Sequence, residues 1–188
     1  MPTIDYGTVF TGKQKIGELA AAVTLDDLKA ATEAAIDEMV GLVRALSDAQ
    51  IVAIATDPAA EGGVGWNVGH LLAHVTASSE ENAAVSAILA RGIAYPFEPR
   101  LRFETAWTEL TTVALCLQRL EESRRMRRGY LSTWPDQPHL DTHRTLPAGF
   151  AEQVGPLNAV GAYLLGLVHE VGQFAQLRDI IAQAQAAA

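Results

Sequence analysis

The stretch Leu164 to Ile181, LLGLVHEVGQFAQLRDII, constrains the fold more than any other part of this chain. It reads as one late helix, apolar on nearly every side, and such a helix is buried among other helices rather than laid on a surface. Gly155 followed by Pro156 marks its start, since proline at the first helical position is favoured, and the pattern carries on to about Gln183. Within it stand His169 and Gln173, four residues apart and therefore on one helix face. A histidine set among Leu, Val and Gly needs partners for two ring nitrogens if it is buried. It is either a satisfied core histidine or half of a site.

Three further helices follow from periodicity. Thr24-Leu25-Asp26-Asp27 is a capping-box-like start, and Leu28, Ala31, Ala35, Met39, Leu42 and Val43 follow at helical spacing, with a stop near Ser47. The second helix begins at Trp66-Asn67, where Asn67 is a good N-cap, and ends at Gly92. Leu71, His74, Val75, Ser78 and Asn82 trace one of its faces; His74 sits inside that stripe and His70 on its flank. The third is expected from Phe103 to Arg128, with Phe103, Ala106, Trp107 and Leu110 opening its apolar face and Gly129 stopping it. Arg124, Arg125, Arg127 and Arg128 complement the dipole at its end, or contact an anion. Four long helices and no strand predict an all-α fold, a four-helix bundle with long inter-helix loops, and sites built from facing helices in its core. Residues 1–23 read as an arm packed on the domain that residues 24–188 form, and Thr56 to Gly65 as a mobile surface segment. The long connection from Tyr130 to Gly155 has the length of a lid or binding wall; its His139 and His143 are weak ligand candidates.

The chain has 188 residues, enough for one domain with a real core. Its net charge of -8 argues against nucleic acid, which is bound through Lys and Arg. No apolar run of about 18 residues predicts a membrane span. The absence of a recognisable signal peptide and the single cysteine lead us to expect a cytoplasmic protein. Cys116, mid-helix among apolar neighbours, reads as a small core residue. Two familiar motifs fail. Gly12-Lys13 lacks the full phosphate-loop pattern, and His169-Glu170-Val171-Gly172-Gln173 lacks the second histidine of a zinc protease helix.

His74 with His169 and Gln173 suggests three neutral ligands plus open positions, the pattern of a catalytic divalent site; zinc, nickel or iron suits imidazole. Trp66-Asn67-Val68-Gly69-His70-Leu71-Leu72-Ala73-His74 resembles the second-helix signature of the DinB/YfiT-like superfamily, in which a ligand histidine follows the tryptophan by eight residues. His169 to Leu177 is similar to that superfamily's H-x-x-x-H-x-x-Q-[IL] in its last long helix. The resemblance covers roughly Thr24 to Ile181. It implies a four-helix bundle holding a divalent metal on His74, His169 and the residue at 173, which is glutamine here where the family pattern has histidine. His70, Glu170 and Gln176 are then expected behind the ligands or against substrate. The resemblance further implies a homodimer acting on a small-molecule substrate with a low-molecular-weight thiol, as an S-transferase or a maleylpyruvate-isomerase-like enzyme. The segment Leu131–Phe150 and the arginines near Arg124 are the expected substrate contacts. The alternative, favoured by Gln173, is a metal-free bundle with a degenerate metal site that binds a small ligand or a protein partner.

Overall fold

The computed structural model describes residues 4–56 and 65–187. Among them the chain is helical and contains no strand. Two short helices, α1 (Tyr6–Phe10) and α2 (Ile16–Leu19), precede α3 (Leu25–Arg44). Then come α4 (Asp48–Val52), α5 (Val68–Ala90), α6 (Val113–Ser132), α7 (Ala148–Val154), α8 (Ala159–Gly172) and α9 (Phe174–Ala186). Helix α5 packs against α8 and α6, and α3 packs against the same two, so these four long elements close a ring around the core. The short helices and the split after Gly172 make the architecture richer than the four continuous helices expected. No described helix is long and apolar enough to cross a membrane.

Caps fix the starts of the long helices. Thr24 and Asp27 form the expected capping box, and Asn67 Oδ1 accepts from the His70 N–H at 2.8 Å. The arm is anchored by Ile16, Leu19 and Ala20, all buried in the same cluster as Leu28, Leu164 and Leu167. The expected mobile segment from Thr56 to Gly65 falls almost wholly outside the described residues.

Three sequence expectations need correction. The third long helix begins at Val113, not Phe103: Thr112 caps it, the Val113 N–H reaches Asp48 Oδ1 at 2.8 Å, and Phe103 is 84% exposed. Residues before it are pinned to α5 instead. Trp107 stacks on His70, and Leu110 lies so close to Gly69 that a Cβ there would meet the Leu110 carbonyl oxygen at 2.5 Å. Second, Gly129 does not stop α6, which runs on to Ser132. Third, the last helix does not start at Pro156 or run unbroken to Gln183. Asn158 caps α8, and Gln173 interrupts the run, its N–H shared between the carbonyls of His169 and Glu170.

Helix α5 is buried along almost its whole length and on more than the predicted stripe. Its buried polar residues therefore need partners. Glu81 receives a bidentate pair of hydrogen bonds from Arg100, at 2.5 and 2.6 Å, and Glu80 pairs with Arg119. On α8, Glu170 pairs with Arg127 at 2.9 Å, and both side chains are essentially inaccessible.

Candidate functional site

Helices α5 and α8 bring His74 and His169 together. Their Nε2 atoms lie 3.3 Å apart, with ring centroids at 5.1 Å. Trp66, at the start of α5, stands edge-on to the His74 ring at 5.0 Å. The two histidines line a cavity of about 440 Å3 whose wall also includes Ser78 and Asn82 from α5 and Leu165 from α8. The connection after α5 completes it with Phe97, Arg100 and Arg102, and the segment before α8 adds Arg144 and Phe150.

Arg102 fixes the tautomer of His74. Its Nη2 lies 2.9 Å from His74 Nδ1, 3.2 Å from the His74 carbonyl and 2.7 Å from Glu104 Oε2. A guanidinium only donates, so His74 Nδ1 accepts. Neutral His74 then carries its hydrogen on Nε2 and donates it to His169 Nε2. His169 in turn carries its hydrogen on Nδ1, a buried atom with no hydrogen-bond partner among the described residues. Burial, with His74 and Arg102 adding to it, pulls the His169 pKa down from 6.5 to about 4. His169 is thus a neutral imidazole at pH 7.

The remaining expected residues lie elsewhere. His70 is stacked between Trp66 at 4.2 Å and Trp107 at 4.7 Å, and does not line the cavity. Glu170 turns to Arg127, and burial pushes its carboxyl pKa up despite that partner. Gln173 occupies the α8–α9 turn, half-buried, and Gln176 is half-buried on α9; neither lines the cavity. The arginines near Arg124 are engaged away from it. Arg124 pairs with Glu33, Asp37 and Glu121, and Arg128 with Glu33. His143 is exposed, and His139 lies against Gly92. Cys116 is a core residue as expected, its thiol pushed up to about 12 by burial. A larger cavity of about 670 Å3, lined by α3 alanines with Tyr6, Val171 and Phe174, holds none of the predicted site residues.

Sequence reasoning missed Arg100 and Arg102. They stand two apart in the irregular connection after α5, where no regular period marks the side their chains take. Of the predicted Leu131–Phe150 wall, Arg144 and Phe150 do reach the cavity.

The donor set fits a divalent metal only in part. Two imidazole nitrogens on a tetrahedral zinc, each at about 2.0–2.1 Å, stand roughly 3.3–3.4 Å apart, which the Nε2 pair matches. The rest does not fit. Ligation needs a lone pair on both Nε2 atoms, so the His74 hydrogen must move to Nδ1, where Arg102 already donates. A ligating histidine gives its other N–H to an acceptor, and here that place is taken by a cation. The third expected donor, Gln173, lies in the α8–α9 turn and does not line the cavity with the histidines.

Among the described residues the chain is thus an all-α protein with a histidine pair bridging two long core helices, α5 and α8. The family model described as DinB superfamily matches residues 31–177. The chain belongs to the DinB superfamily. No curated protein and no solved structure matches it.

Proposed function

We propose that this DinB-superfamily chain is a small-ligand-binding protein whose site works without a metal. The ligand lies in the cavity against His74 and His169. The observation that carries this reading is the 2.9 Å contact from Arg102 to His74 Nδ1. It assigns the His74 hydrogen to Nε2, uses the facing Nε2 lone pair of His169 to accept it, and places a positive charge where a dication would be repelled. The histidine pair thereby becomes a hydrogen-bonded wall of the cavity, held in register by α5 and α8. The alternative reading, a metal-dependent thiol transferase, rests on the separation of the two Nε2 atoms. It requires Arg102 to leave His74 and a third donor to reach the pair.

Zinc titration by calorimetry, on protein purified without a histidine tag, separates the two. The wild type is expected to take up no stoichiometric zinc at His74. Arg102→Gln supplies a neutral side chain able to accept the Nδ1 hydrogen and should bind zinc roughly tenfold tighter or more, the usual size of an outer-ligand effect. One zinc per wild-type chain, lost in His74→Ala, would overturn the proposal.

A further inference from the structure

The cavity wall is electrostatically one-sided. Arg100, Arg102 and Arg144 line it, whereas the carboxylates that accompany them, Glu81, Glu98 and Glu104, do not. Glu81 is wholly buried behind the arginines, bidentate to Arg100 and 3.6 Å from Arg144. Arg144 is itself only 5% exposed, and its Nε has no hydrogen-bond partner among the described residues. Burial holds its pKa below the usual guanidinium value, since Glu81 offsets only part of the desolvation. A buried cation with an unmet donor stands to gain from an anion placed beside it.

The apolar part of the wall has a definite shape. Phe97 lies under both guanidiniums, at 5.0 Å from Arg100 and 5.3 Å from Arg144, and meets Phe150 edge-to-face at 6.1 Å. These rings hold the arginines in place and leave apolar surface, extended by Leu165, beside them. The volume of about 440 Å3 is within the range of small-molecule pockets.

We infer that the ligand of this cavity is a small organic anion, its carboxylate or phosphate held by Arg100, Arg102 and Arg144 and its apolar body against Phe97 and Phe150. This inference rests on the metal-independent reading above. A metal-held thiolate would place its negative charge at the histidine pair, not among the arginines.

The test is calorimetric titration at fixed ionic strength, in the presence of a chelator, with benzoate, phenyl phosphate and their neutral counterpart benzamide. The expected result is one benzoate or phenyl phosphate per chain, with benzamide at least tenfold weaker, because a hydrogen bond to a charged group exceeds a neutral one by about that factor. Which anion binds better identifies the headgroup. Arg100→Gln and Arg102→Gln should each weaken the anion roughly tenfold, and Arg124→Gln, whose partners lie elsewhere, should not. The wild-type comparison of benzoate with benzamide keeps the test decisive if a variant fails to fold. Equal binding of benzamide, or no anion bound with or without zinc, overturns the ligand class and leaves the metal-independent reading standing. Anion binding that appears only when zinc replaces the chelator overturns that reading instead.

Discussion

His169 carries much of the site's expected response to pH. Its pKa is lowered from 6.5 to about 4, first by burial and then by His74 and Arg102. A free imidazole in the unfolded chain takes up a proton near 6.5, and the folded protein resists that proton until about pH 4. The unfolded state therefore binds more protons across this window, and stability falls as pH drops through it. Above pH 6.5 the contribution is complete. We predict that the thermal midpoint of the wild type declines relative to that of His169→Gln between pH 6.5 and 4, since Glu170, whose raised pKa acts in the opposite direction, is common to both. Glu33 and Glu81 have pKa values lowered by their arginine partners, against the opposing effect of burial, and they add a loss at still lower pH in both proteins. Parallel curves for the two proteins between pH 6.5 and 4 would contradict the assignment. Arg102 is the other decisive residue, because it joins the connection after α5 to the one imidazole nitrogen that fixes the tautomer of the pair.

The interface between α5 and α8 holds the two histidines in register, and it depends on small residues. A Cβ at Gly166 would meet Asn82 Cβ and Ser79 Cα, each at 3.1 Å, tight against a helix backbone that has little room to yield. Gly166→Ala should cost roughly 1–3 kcal/mol of stability, the usual scale of overpacking, read from urea unfolding; an unchanged midpoint would show that the helices separate easily. One residue on from His169, the buried Arg127–Glu170 pair ties α6 to α8. Glu170→Ala strands a buried guanidinium and should cost about 3–5 kcal/mol, whereas Arg127→Met combined with Glu170→Leu should recover most of that loss. A double variant as unstable as the single one would mean that the pair contributes more than its own neutralisation. At this scale the long helices were legible where caps and periodicity agree, as at Thr24 and Asn67. They were misread where tertiary contact decides. Phe103 to Leu110 has helical spacing, but the stack of Trp107 on His70 and the fit of Leu110 over Gly69 hold that stretch against α5. Nothing local to residues 103–110 announces either contact.

Across the whole molecule, family membership and the meeting of His74 with His169 were readable from two short motifs, because each is a local pattern, one at the start of α5 and one across the α8–α9 turn. Arg100 and Arg102 were not. Their position depends on how the connection after α5 folds back over that helix, a long-range arrangement with no sequence period. The site we propose is of mixed origin, in which His74 on a core helix is held in one tautomer by the Arg102 guanidinium from the connection after α5. The ring hydrogens of His74 and His169 report on that arrangement. Long-range proton–nitrogen correlation spectra at neutral pH, recorded before and after addition of zinc, read the tautomer of each ring. The expected result is a hydrogen on His74 Nε2 and on His169 Nδ1, with both patterns unchanged by zinc. A hydrogen on His74 Nδ1, or nitrogen shifts of both rings that move together at one equivalent of zinc, would contradict it.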